Sequence, residues 1–146
     1  MIVFNIAEHG KAIAKVSGYK HYTQDCPVIS RVNDRYELLG GVIFPEFTGS
    51  SIEMHVAGFT PKWGSPDMLW VCFHYPFEQL GCKRILAFVP GDNLKALAFD
   101  HKLGFVTEAI IPDVYPKADL HVLSMTREQC RWLKIRPRIL KDNGCG

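Results

Sequence analysis

The stretch Asn93-Leu-Lys-Ala-Leu-Ala-Phe-Asp-His-Lys-Leu-Gly-Phe105 decides the fold. Asn93 is suited to cap a helix, because its side-chain carbonyl can accept a backbone N–H that a helix start leaves unpaired. The residues from Leu94 to Lys102 follow as that helix. Leu103-Gly104-Phe105 ends it, with the glycine at the stop, and starts a strand. Just upstream, Gly91, Asp92 and Asn93 form a turn. The continuous apolar run Arg84 to Val89 before it reads as a strand covered on both faces. Downstream, Leu120 to Met125 reads as a last strand, and Thr126 with Gln129 fits a capping box for a final helix through Leu133.

Further back, Met68 to Leu80 has helical apolar spacing, with Asp67 placed as N-cap and Gly81 as the stop. Pro76 must kink or shorten that helix. Phe59 to Asp67 is a loop with two prolines and Gly64. Before it, Pro27 to Val32, Tyr36 to Phe44 and Ser51 to Ala57 read as strands joined by Asn33-Asp34 and by the Pro45 to Ser50 turn cluster. In the third of these, Ile52, Met54 and Val56 share one face, and Glu53 and His55 the other. Gly40-Gly41 interrupts the second. Glu8 to Val16 is a helix, weakened by Gly10 and ended by Gly18. The order is helix, antiparallel meander, then a βαβα unit, strand and helix. It describes a mixed α/β domain, whose ligand belongs beyond the strand ends near a topological break.

The chain has 146 residues, 47% hydrophobic and 22% charged, which suits a single domain over 1–146 and excludes a disordered, collagen-like or coiled-coil chain. No apolar run reaches the ~18–20 residues of a membrane span. The first residues lack a basic leader and a cleavage site, so no signal peptide is expected. Cys26, Cys72, Cys82, Cys130 and Cys145 are scattered and form no CxxC. Reduced thiols in a cytoplasmic compartment follow, and no metal site is called for. Net charge is +2, but Arg127 to Lys141 hold six basic residues against Glu128 alone. This basic C-terminal tail, from about Lys134, reads as a solvated end or as a contact for an anionic partner. A nucleic-acid role ranks last, because Trp132 is the tail's one aromatic.

The Asn93 to Phe105 segment resembles the Gcn5-related N-acetyltransferases (GNAT), which commonly show Asn, Ala three residues later, an aromatic and a Gly-Phe pair in this register. Asn93, Ala96, Phe99, Gly104 and Phe105 match. The resemblance covers roughly Tyr36 to Met125. It implies a central, mostly antiparallel sheet flanked by helices, and acetyl transfer from acetyl-CoA, the co-substrate, to a primary amine of a small molecule or protein. It also implies that Val56 and Ala57 polarise the thioester carbonyl with backbone N–H groups and that Asn93, Ala96 and Phe99 line the cofactor. The family's phosphate loop, Arg/Gln-x-x-Gly-x-Gly/Ala, falls on Pro61-Lys-Trp-Gly-Ser-Pro66, where Lys62, Gly64 and Ser65 would serve the pyrophosphate. Pro61 and Pro66 depart from the pattern and supply no N–H. Many members carry a tyrosine acid on the helix after that asparagine; the position is read here as Phe99, which has no proton to give.

For the base, the residues offer Glu53 and His55. Each has an ordinary reading beside the catalytic one: an exposed strand residue for Glu53, a backbone-bonded buried histidine for His55. His74 with Cys72 is a poor metal pair, since residues two apart point to different sides of a helix. Trp63 can pack over the adenine, over a partner, or on the domain's own core. Met54-His-Val-Ala-Gly58, Phe73-His-Tyr-Pro-Phe-Glu-Gln-Leu-Gly81 and Glu128-Gln-Cys-Arg-Trp-Leu133 resemble small GNAT-like proteins of tailed bacteriophages and prophages. That narrower resemblance implies a host bacterial cytoplasm or a virion. It keeps open an alternative, a scaffold without chemistry that binds a host enzyme or virion component, and it allows a homodimer.

Overall fold

The computed structural model describes residues 1–135; Arg136, Arg138 and Lys141 of the basic tail lie outside the described residues. Two four-stranded sheets form the body. The first runs β1 (Ile2–Phe4), β2 (Val28–Val32), β3 (Leu38–Ile43), β5 (His55–Gly58), all antiparallel. The second runs β4 (Ser51–Glu53), β6 (Arg84–Pro90), β8 (Ala118–Thr126), β7 (Val106–Tyr115). Only β4 and β6 pair in parallel. Three α-helices complete the described chain: α1 (Ala7–Ser17), α2 (Pro66–His74) and α3 (Leu94–Leu103).

The expected single strand Ser51 to Ala57 is instead two strands in two sheets. Met54 N–H still reaches Leu86 O at 2.9 Å, and from His55 onward the chain pairs with β3. The alternation breaks at the same point. Ile52 and Met54 are buried, Val56 is half-exposed, and Ala57 is buried. The sheets therefore splay apart beyond Met54, and the gap between β5 and β6 is the break at which a ligand was expected.

Local chemistry explains most boundaries. Gly10 sits inside α1 because the Tyr22 ring leaves no room for a Cβ there, and Tyr22 Oη donates to Ala7 O at 3.1 Å. The glycine's helix cost is offset by that packing. Gly40 and Gly41 do not break β3; the Trp63 indole lies where a Cβ on Gly40 would be. The cap of α2 is Ser65, not Asp67: Ser65 Oγ accepts from Met68 N–H at 3.4 Å, and Pro66 takes the first helical position. Around Pro76 the helix widens into a π turn, Tyr75–Gln79, with Leu80 N–H reaching Tyr75 O at 3.0 Å. Proline lacks the N–H that an α-helical bond would need.

The strand after α3 does not lie beside β6. Strand β8 comes between, and β7 is an edge strand exposed along its whole length. Likewise β6 is covered only on alternate residues. The capping box forms both of its bonds, Thr126 N–H to Gln129 Oε1 at 2.9 Å and Gln129 N–H to Thr126 Oγ1 at 3.3 Å. Among the described residues no α-helix follows; a 3-10 turn, Arg131–Lys134, does. Trp132 Nε1–H donates to Leu103 O at 2.8 Å, and Arg131 donates to Lys102 and Leu103 carbonyls. Binding the open carbonyls at the α3 end outweighs continuing the helix. Arg127 pairs with Glu78 at 2.6 Å, so two of the six basic residues are structural.

The main core lies between the sheets and α2, with Phe44, Phe73, Phe77, Ile85, Leu123 and Met125 all but fully buried. Cys72, Cys82 and Cys130 are buried within it as free thiols and act as small apolar residues. Among the described residues no helix is long and apolar enough to cross a membrane.

Candidate active site

The splay opens a cavity of about 620 Å³. Residues of β5 form one wall and those of β6, Ala87 to Pro90, the facing one; the end of α1, the loop after β5 and one face of α3 also line it. Both facing strand edges are unpaired here. Strand β5 ends the first sheet, and β4 has already left β6. Phe59 N–H donates to Leu39 O at 2.9 Å, so alternation puts Ala57 opposite Gly41 in a hydrogen-bonded pair. The N–H groups of Val56 and Gly58 then turn away from β3, toward the cavity. The Val56 N–H is therefore free of the ladder, whereas the Ala57 N–H is spent on it.

Glu53 and His55 are brought together, with Glu53 Oε1 3.0 Å from His55 Nε2. Their side chains retain 17% and 10% exposure, so the pair sits in the wall and not on an open surface. The His55 ring packs on Tyr19 at 4.6 Å between centroids. Tyr19 Oη in turn donates to Glu46 at 3.0 Å. Burial and that bond push the Tyr19 hydroxyl up to about 12, so it stays protonated and the ring serves as packing for His55.

The phosphate-loop residues are less concentrated. Lys62 is exposed, Gly64 has open space around it, and neither they nor Ser65 line the cavity. Ser65 Oγ is engaged twice, as cap of α2 and as acceptor from Arg31 Nη1 at 2.6 Å. Arg31, on β2, thereby brings a positive charge to the positive end of α2; no sequence motif marks it. Thr60 Oγ1, in the loop at the cavity wall, is buried without a partner. Trp63 is a core residue, 7% exposed, packed over Gly40 and Gly58 and 6.0 Å from the Phe99 ring.

On α3, Asn93 Oδ1 accepts from Ala96 N–H at 3.2 Å, and Asn93, Ala96 and Phe99 line the cavity. Lys95 and Asp100, the latter next in sequence to Phe99, also line the cavity. Asp100 is 8% exposed, and burial pushes its carboxyl up to about 6. Its signal in the sequence was an acid inside the apolar stripe of Leu97 and Leu103. His74 stacks on Trp70 at 4.3 Å. Among the described residues no group of three or more His, Cys, Asp or Glu is placed to hold a metal ion.

This architecture is found in solved acetyltransferase structures. Mutant forms of the spermidine/spermine N-acetyltransferase SpeG of Vibrio cholerae superpose with a TM-score of 0.65 at 13% identity, over 88% of this chain and 96% of theirs. A dodecameric form of the Vibrio cholerae spermidine N-acetyltransferase gives 0.65 at 14%, over 87% and 94%. A GNAT-family acetyltransferase of Bacillus anthracis gives 0.61 at 16%, over 87% and 94%. The chain has the GNAT fold. No family model and no curated protein matches the sequence. In the GNAT fold of this chain, the cavity between β5 and β6 is lined by His55, bonded to Glu53, and by Asp100 of α3.

Proposed function

We propose that the chain is an acyl-CoA-dependent N-acyltransferase, moving an acetyl group from acetyl-CoA to a primary amine of a small molecule or protein. One observation carries the reading: the unpaired edge of β5 borders a cavity between splayed sheets that is lined by His55, whose ring bonds to Glu53 behind it.

The residues fit the co-substrate. An extended arm with alternating amide and methylene groups matches an unpaired strand edge and apolar walls. Thr60 Oγ1 is an orphaned hydroxyl at the same wall, a group that a polar ligand atom would satisfy. Gly64, Ser65 and Lys62 with the start of α2 would hold the pyrophosphate, with Arg31 adding a full charge at that point. Pro66 removes one donor from the helix start, and Arg31 compensates electrostatically.

Acetyl-CoA, when bound, supplies an activated acyl carbon and a thiol leaving group. The Val56 N–H polarises the carbonyl from the β5 edge. His55, oriented by Glu53, takes the proton of the incoming amine. Phe99 and Trp63 keep water from the floor of the cavity.

Calorimetric titration with acetyl-CoA, with free CoA as comparison, tests the reading. Micromolar binding of both is expected, followed by turnover in a screen of amines. Spermidine belongs in that screen, since it is what the Vibrio cholerae neighbour is named for. No binding of either ligand at millimolar concentration would overturn the reading and favour a scaffold kept for a protein partner.

A further inference from the structure

The cavity is a wedge whose narrow end is closed by two residues. Strands β4 and β6 pair in parallel as far as Glu53 and Leu86, and the last bond across them is Met54 N–H to Leu86 O at 2.9 Å. Beyond that bond β5 pairs with β3 instead, and the walls part. Met54 on one side and Ala87 on the other stand at the vertex; each is 4% exposed, and each lines the cavity. Both belong to the main core, and Ile52 and Ile85, paired with one another, lie buried behind them. The wide end lies at Gly58 and Pro90, beside the loop that leads to α2.

Two constraints orient an acyl-CoA in this wedge, and both rest on the acyltransferase reading above. The pyrophosphate belongs at the start of α2, which is reached from the wide end, so the arm runs along β5 from Gly58 toward Met54. On that edge the N–H groups of Gly58 and Val56 are free of the ladder, whereas the Met54 N–H is spent on Leu86. Val56 therefore offers the last donor for a thioester carbonyl before the vertex. Two residues of extended chain, from Val56 to Met54, span roughly 6.6–6.8 Å. Contact with the Met54 side chain takes about 3.5–4.0 Å of that span, which leaves about 3 Å, room for one or two carbons beyond the carbonyl. We propose that Met54 and Ala87 are the acyl gauge of the site, admitting acetyl and propionyl groups and excluding longer ones. Ala87 provides the room, because its side chain is a single methyl. Met54 limits it, because a long unbranched thioether fills the irregular gap that a smaller residue would leave.

The test needs no acceptor. Calorimetry gives Kd for free CoA and for acetyl-, propionyl-, butyryl- and hexanoyl-CoA, with wild type, Met54→Ala and Ala87→Val. Free CoA carries no acyl group and serves as the reference for folding and for the rest of the site. Wild type should bind acetyl- and propionyl-CoA within a few-fold of free CoA. Hexanoyl-CoA should bind roughly 10–200-fold more weakly, the range that a surplus methylene costs in an apolar pocket. Met54→Ala should bring hexanoyl-CoA to within a few-fold of acetyl-CoA. Ala87→Val fills the vertex from the facing wall, so propionyl-CoA should weaken by about tenfold or more while free CoA binds as before. Met54 is a core residue, so its variant is read relative to free CoA, and Ala87→Val carries the test where Met54→Ala does not fold. Hexanoyl-CoA bound by wild type as tightly as acetyl-CoA would overturn the gauge. So would folded variants that weaken free CoA and every acyl-CoA equally. Failure of wild type to bind even free CoA at millimolar concentration would overturn the acyltransferase reading itself, and the gauge with it.

Discussion

Glu53 and His55 belong to different sheets, yet Glu53 Oε1 and His55 Nε2 lie 3.0 Å apart across the residue where the two sheets part. The splay thus creates both the cavity and the pair at its edge. His55→Ala and Glu53→Gln should each lower kcat, the first by roughly 10²–10³-fold, as expected for loss of a general base. Glu53→Gln should cost less, because the amide still bonds the imidazole. Acetyl-CoA affinity should stay unchanged in both. A parallel loss of affinity, measured by calorimetry, would place the pair in cofactor binding instead.

Arg31 is tied to Ser65 by a 2.6 Å bond at the start of α2. Arg31→Met keeps the aliphatic stem and removes the charge. A charge-assisted bond is worth roughly 1.5–3 kcal/mol, so the acetyl-CoA Kd should rise at least about tenfold. Pantetheine, which lacks the pyrophosphate, should bind the variant as it binds wild type. Equal weakening for both ligands would show that Arg31 acts on the cavity as a whole.

Trp63 lies against Gly58 so closely that a Cβ there would overlap the indole. Gly58→Ala should therefore destabilise by about 1–3 kcal/mol, the usual cost of overpacking. Denaturant midpoints check this. Replacing Trp63 by Leu in the same chain should remove most of the penalty from the added methyl. An additive outcome would mean that the strain has another source.

Much of this arrangement was legible because it is local. Asn93, Gly104 and Gly18 do in the structure what cap and stop residues do in any chain. What the sequence concealed depends on partners far away. Ile52, Met54 and Val56 alternate without a break, so nothing in the segment marks the exchange of β6 for β3 at Met54. Ser65 and Asp67 are both capping residues, and Pro66 between them decides for Ser65 by taking the first helical position. Thr126 and Gln129 make the bonds of a helix start, but the open carbonyls of α3 hold Arg131 and Trp132 to another path. Asp100 was visible as an acid in an apolar stripe. Its place across the cavity from His55 needed the fold.

Asp100 also sets a pH dependence of stability whose sign is opposite to that of an ordinary salt-bridged acid. Its folded-state carboxyl is raised from 3.8 to about 6. The folded chain therefore binds the proton more tightly than the unfolded one. The contribution is fully present below about pH 4 and is lost as pH rises through about 6. Asp100→Asn, which keeps shape without the charge, should be more stable than wild type at pH 7–8. The gain is at most about 3 kcal/mol, from roughly two pKa units. At pH 4 the two should unfold together, because the wild-type carboxyl is then neutral in the folded state. His55 and His101 are common to both proteins, so the difference between the two denaturation curves isolates Asp100. A gap that stays constant from pH 4 to pH 8 would mean that folding leaves the proton affinity of the Asp100 carboxyl unchanged.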